Sequence, residues 1–306
     1  MGLLDRAVDK LKAEQAEAPV VAGRPAAREA ASDAATEAQE AVGEPMLADD
    51  GGTFSTGLQG GPVDIGLSRL AARGFIVPGY PTDSMLLNEY RRIKRQLLFK
   101  VAVDQAEVEQ PLHSNLILFT SAIDGEGKTF VSTNLAFSIS QEVDRSALLI
   151  DADVIRRGAS RLFGLEQHLG LIDYLKGDVD DITSLFVQPK GLDNLNILPA
   201  GTPSEDVNEL LASERMRELM EELALQDPER IVLCDASPIL MTSEAHILAQ
   251  LVGQVVLVVR ADQTPQHHVE NALGYMQPDR FAGLVLNGAS RSLAQDGYAD
   301  YDYGTQ

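Results

Sequence analysis

An α/β fold, with a mostly parallel sheet covered by helices on both faces, is predicted by three observations in this sequence. Short apolar runs alternate with helical patterns from residue 115 to 288. Two of those runs close on acids, and a third leads through a glycine-containing turn into Gly127-Lys128-Thr129 and a helix. Runs that stay apolar rather than alternating read as strands buried on both sides, as parallel strands are.

The stretch around which the rest is arranged is LILFTSAIDGEGKTFVSTNLAFSIS. A strand over 116–120, a turn and a helix are the parts of a phosphate-binding loop. Backbone N–H groups of the turn and of the helix N-terminus converge on one anion, so dipoles as well as charge hold it. Gly125, Glu126, Gly127, Lys128, Thr129 and Phe130 are therefore the expected nucleotide contacts. Lys128 reaches the outer phosphates and Thr129 ligates Mg2+. The first glycine of the usual G-x4-GK[ST] pattern is replaced by Ala122, which marks a variant, deviant Walker A loop of a P-loop NTPase.

Downstream, a strand over 147–150 ends in Asp151 and Asp153. Paired carboxylates at the C-terminal end of a strand lie where such sheets bind ligands, and can hold magnesium or orient an incoming hydroxyl. A short helix at 171–175, a strand at 195–199 and one long helical region from 204 or 205 to 224 follow. RIVLCDASPIL is a second strand closing on an acid, Asp235, a Walker B metal ligand. Strands at 254–260 and 282–286 alternate with helices at 244–252 and 265–276. Asn287, at the end of the last strand, is placed to touch a base or simply to make a turn.

Upstream, residues 1–75 read as a short amphipathic helix, with Leu3, Leu4, Val8 and Leu11 at helical spacing, and then a disordered Ala/Glu-rich linker. The folded domain is expected over 76–295. It opens with an amphipathic helix whose stripe is Leu86, Tyr90, Ile93 and Leu97, capped by Thr82, Asp83 or Ser84. Glu89, Arg91, Arg92, Lys94 and Arg95 lie off that stripe, with Glu89, Arg92 and Arg95 on one flank; by itself this reads as a solvated face. Residues 296–306 form a flexible tail holding Tyr298, Tyr301 and Tyr303, interleaved with Asp296, Asp300 and Asp302.

Composition narrows the functional class. A net charge of −21 argues against nucleic-acid binding, and no apolar run is long enough to cross a bilayer. One cysteine, Cys234, allows no internal disulfide and fits a reducing compartment. The five histidines show no zinc spacing.

These motifs together resemble the bacterial tyrosine kinases of capsular and exopolysaccharide loci, most of all the autokinases of exosortase-linked systems. The resemblance runs from about Gly74 to the C-terminus and rests on SAIDGEGKT, LLIDAD, IVLCDASP and the tyrosine tail. It implies phosphoryl transfer from ATP, with Mg2+, to a protein tyrosine. Lys128, Asp151 and Asp153 are then catalytic, and Thr129, Asp151, Asp153 and Asp235 form the metal shell. Tyr298, Tyr301 and Tyr303 become the phosphoacceptors, reached in trans within an oligomer, and Asp151 accepts or orients the tyrosyl proton. Glu89, Arg92 and Arg95 match the family's E-x2-R-x2-R helix, which implies subunit contacts in a ring. Further implications are a separate membrane-embedded chain-length regulator, a tyrosine phosphatase, and a place at the cytoplasmic face of the membrane through that partner. Two departures stand out. Asp124 replaces the family's usual proline, and Ile155 stands where many members carry arginine, leaving Arg156 and Arg157 just beyond.

The nearest rival is a ParA- or MinD-type ATPase switch. Its loop lysine is absent, since Ile123 occupies that position. A non-catalytic nucleotide-binding scaffold is the other alternative.

Overall fold

The computed structural model describes residues 61–106 and 113–289. The amphipathic segment at 3–11, the linker up to residue 60 and the tail tyrosines Tyr298, Tyr301 and Tyr303 lie outside the described residues.

Six parallel strands form one sheet: β1 (Leu116–Ser121), β2 (Ser146–Asp151), β3 (Leu195–Leu198), β4 (Arg230–Asp235), β5 (Gln254–Arg260) and β6 (Phe281–Asn287), in the order β3-β2-β4-β1-β5-β6. Every residue of β1 is buried, as the unbroken apolar run requires. Because side chains alternate along a strand, Ile117 and Phe119 enter one core with Val131, Leu135, Leu149 and Leu233. Leu116 and Leu118 are equally buried but point to the opposite face.

The helices fill both sides. α1 (Leu67–Ala72) and α2 (Ser84–Ala106) precede the sheet, and α3 (Lys128–Ile139) follows β1 directly. α3 packs on β1, β2 and β4, and α2 lies against α3. α4 (Gly158–Phe163), α5 (Leu171–Lys176) and a 3-10 turn at Ile182–Leu185 connect β2 to β3. α6 (Val207–Leu211), α7 (Glu214–Gln226), α8 (Ser243–Leu251) and α9 (Gln266–Leu273) complete the set. α7 packs on β4 and α8 on β1.

Three differences from the sequence reading have local causes. The packed domain starts before residue 76: Val63 N–H donates to Gln188 O at 2.8 Å and Lys190 N–H to Val63 O at 2.8 Å, while Ile65, Leu70, Phe75 and Val77 are buried. The helical region before residue 224 is two helices. Ser213 sits between them in an extended conformation, and its Oγ accepts from Met216 N–H at 3.2 Å, an N-cap that starts α7 afresh. Finally, Lys94 is not on the solvated face. With Tyr90, Leu97, Val101 and Asp104 it forms the buried line of α2. Its Nζ donates to Ser138 O at 2.9 Å and pairs with Glu142, which satisfies a cation that burial would otherwise penalise. Asp83 supplies the cap, its Oδ1 accepting from Met85 N–H at 2.9 Å.

Candidate functional site

The connection from β1 runs past β4 to β2, and β4 later inserts between them, so the C-terminal ends of β1, β4 and β2 form a topological switch point. The phosphate loop occupies that point. Gly125 and Gly127 have φ of 78° and 92°, a left-handed backbone open to glycine at little cost, and Gly127 is the N-cap of α3.

Glu126 explains how the loop is held. Its side chain is buried, and its carboxylate accepts from Ile123 N–H at 2.7 Å, from Arg260 N–H at 3.3 Å and from the Thr264 hydroxyl. It thus ties the loop to the end of β5 from inside, and only its backbone remains for a ligand. Asn287 closes the same brace from β6, its Nδ2 donating to Glu126 O at 2.9 Å. A Cβ on Gly127 would lie 2.0 Å from that Nδ2, so the approach is closed to any larger residue. The Asn287 side chain is therefore engaged by the loop and supports it rather than facing outward to a base. Phe130 also turns inward: its ring packs on Phe75 with centroids 4.8 Å apart, leaving its backbone as the part that faces the loop.

Beneath the loop the two acid-bearing strands are in register, with Asp151 opposite Asp235. Both carboxylates are fully buried. Asp235 Oδ2 accepts from Thr129 Oγ1 at 2.6 Å. Asp151 Oδ2 accepts from both the amide and the hydroxyl of Ser160, each at 2.7 Å. Oδ1 of each aspartate has no partner. Burial pushes Asp151 up to about 7 against the opposing Ser160 hydrogen bonds. Burial and the neighbouring Asp151 charge push Asp235 up to about 8. Asp153, slightly more open, is also raised by burial, against the Arg156 amide and the charges of Lys128 and Arg156.

Among the described residues no group of three or more His, Cys, Asp or Glu is arranged to hold a metal by itself. Magnesium does not need one, since it keeps several waters and takes one or two protein oxygens beside substrate phosphates. Thr129 Oγ1 and the unpartnered Oδ1 of Asp235 fit that requirement. Asp151 lies one strand over, equally buried, with its own Oδ1 unpartnered. The geometry thus gathers Lys128, Thr129, Asp151, Asp153 and Asp235 at one end of the sheet. Glu89, Arg92 and Arg95 lie apart, on α2, where Arg92 and Arg95 are exposed.

Sequence reasoning missed Ser160 and Gly158. Ser160 fixes Asp151, and a Cβ at Gly158 would come within 2.9 Å of Thr129 Oγ1, so this glycine lets α4 approach the start of α3. Gly158 directly follows the Arg156-Arg157 pair, but neither spacing nor residue type announces the contact.

No protein-family model matches the chain. The chain is 32% identical over 240 residues to the tyrosine-protein kinase Wzc of Salmonella typhi, a match covering 78% of this chain and 31% of that protein. It spans about a third of that relative's length, so what the whole relative does is not transferred with the match. Among solved structures, the VpsO kinase domain superposes with a TM-score of 0.53 at 28% identity, covering 66% of this chain and 98% of that one. The kinase domain of the Escherichia coli tyrosine kinase Etk gives 0.52 at 29% identity, covering 66% and 76%.

Proposed function

Since this chain belongs by its P-loop domain to the bacterial tyrosine-kinase family, we propose that it is an ATP-dependent protein-tyrosine autokinase. Its acceptors are Tyr298, Tyr301 and Tyr303, presented in trans to a neighbouring copy. The observation that carries this reading is the pair of in-register, fully buried aspartates, each with one unpartnered oxygen, beside a phosphate loop braced by Glu126 and Asn287. A buried carboxylate oxygen without a donor is costly, and a bound cation would satisfy it.

The chemistry follows from the placement of each group. The loop amides and Lys128 bind the phosphates and stabilise charge on the transferring group. Thr129 and Asp235 hold Mg2+, which neutralises phosphate charge when bound. Asp151, with a proton affinity near neutrality, accepts or orients the proton of the incoming tyrosine hydroxyl, and Ser160 keeps its carboxylate in place. Asp153 stands at the more open side, between Lys128 and Arg156, and positions the metal and its phosphates.

The same reading gives Glu89, Arg92 and Arg95 the role of subunit contacts in a ring. It places the protein at the cytoplasmic face of the membrane, through a separate membrane-embedded regulator of polysaccharide chain length, with a tyrosine phosphatase reversing the modification. Among the described residues no helix is long and apolar enough to cross a membrane. The biological output is control of exopolysaccharide polymerisation or export.

Intact-mass measurement and peptide mapping of the full chain made in cells, compared with Lys128→Met, test this. Phosphate on the tail tyrosines of the wild type and none on the variant is the expected result. Two bare proteins, with the wild type still binding ATP, would replace the kinase with a nucleotide switch or scaffold.

A further inference from the structure

Asp124, one departure of this chain from the family's motifs, meets in space the arginine that follows the other, Ile155. Asp124 stands in the phosphate loop and Arg156 in the turn between β2 and α4, and they form a two-pronged ion pair, Nη1 to Oδ1 and Nη2 to Oδ2. The root of the arginine is fixed as well, since its backbone N–H donates to Asp153 Oδ1 at 3.3 Å. The guanidinium thus spans from the second acidic motif to the loop, beside the space that Lys128 and Asp153 face.

Two physical facts limit what this pair does. Its side chains are 49% and 32% exposed, and an exposed ion pair contributes little to folding. An unpaired carboxylate at the edge of a phosphate loop, moreover, would repel the ligand the loop is built to hold. Asp124 is tolerable there because Arg156 neutralises it. A planar guanidinium fork fits a phosphate as well as a carboxylate, and the terminal phosphate of a nucleoside triphosphate carries more charge than Asp124.

We propose that Arg156 reads the outermost phosphate of a bound nucleoside triphosphate, and that Asp124 holds it at the mouth of the loop until that phosphate takes the carboxylate's place. The inference rests on the nucleotide-binding reading above and makes Arg156 the residue that distinguishes triphosphate from diphosphate. Asp124 is a positioning residue: it acts only through Arg156.

The test measures dissociation constants of Mg·ADP and of a non-hydrolysable Mg·triphosphate analogue by titration calorimetry, using the full chain. The variants are Arg156→Gln, Arg156→Lys, Asp124→Asn and the double variant. Arg156→Gln is expected to reduce the preference for triphosphate roughly tenfold. The double variant stays equally low, because restoring local neutrality does not restore the contact. Asp124→Asn keeps or raises the preference, and Arg156→Lys recovers part of it. If the triphosphate-to-diphosphate ratio is the same in the wild type, Arg156→Gln and the double variant, the pair is only a staple and the proposal falls. A wild type that binds neither nucleotide overturns the nucleotide-binding reading, and this inference with it.

Discussion

Two sets of buried aspartates sit at the same end of the sheet, and they are built differently. Asp173, on α5, is almost fully enclosed and has every oxygen engaged. Its Oδ2 accepts from Gly170 N–H at 2.8 Å and from Thr202 N–H at 3.1 Å, and its Oδ1 from Thr202 Oγ1 at 2.5 Å. It joins the loop after β3 to the start of α5. Asp151 and Asp235 are as deeply buried, yet each leaves Oδ1 empty. The first arrangement is complete in the protein alone. The second leaves two carboxylate oxygens without a protein donor, a cost that a bound cation would remove.

The comparison is broken most severely by Asp235→Asn. That change should lower Mg·ATP-dependent tyrosine phosphorylation about 1,000-fold, since it removes the carboxylate proposed to hold magnesium and leaves the loop intact. Retention of more than about a tenth of the activity would show that Asp235 is as structural as Asp173. On the other side, Asp173→Ala strands two backbone donors and a hydroxyl. It should cost about 3 kcal/mol of stability and lower Tm by about 8 °C, while nucleotide affinity is unchanged. Thermal melts and calorimetry on one preparation check both halves.

What could be read from the sequence divides along the same line. Gly127-Lys128-Thr129, Asp151 and Asp235 are visible because strand ends and local spacing mark them, and the strands are visible as short apolar runs, the half-exposed edge strand β6 included. Glu126 looks like an ordinary loop residue until its partners on β5 are known. Lys94 looks exposed because its compensation comes from Ser138 and Glu142 on another part of the chain. Residues 63–77 carry one short helix and no long apolar period, so their packing is set by a distant strand-like contact with residues 188–190. Asp124 and Arg156 each appear as separate anomalies, and only the fold makes them a pair.

A third prediction turns on pH. Burial raises Asp235 to about 8, whereas an unfolded aspartate titrates near ~3.9. The folded state therefore binds more protons across the window between those values, and this group's contribution to stability falls as pH rises through it. Asp235→Asn removes the charge, so the nucleotide-free variant should be more stable than the wild type at pH 8 by about 1–2 kcal/mol, with the advantage shrinking toward pH 5. Denaturant melts at both pH values decide it. An advantage that is constant with pH would mean the carboxylate is not the source.

The smallest effect sharpens the comparison at a single glycine. At Gly158 an added methyl would lie 2.9 Å from Thr129 Oγ1 and 3.8 Å from Asp235 Oδ2, so the hydroxyl must shift by a few tenths of an ångström. That hydroxyl donates to the buried Asp235 Oδ2, and a shift of a few tenths of an ångström keeps the bond, so Gly158→Ala should leave Tm nearly unchanged. A metal ligand is less forgiving than a packed side chain, because magnesium tolerates little departure from octahedral geometry. Nucleotide affinity in magnesium should therefore fall about threefold, and in EDTA it should not change. If the loss is the same with and without magnesium, Gly158 only spaces α4 from α3, and Thr129 is not the ligand proposed.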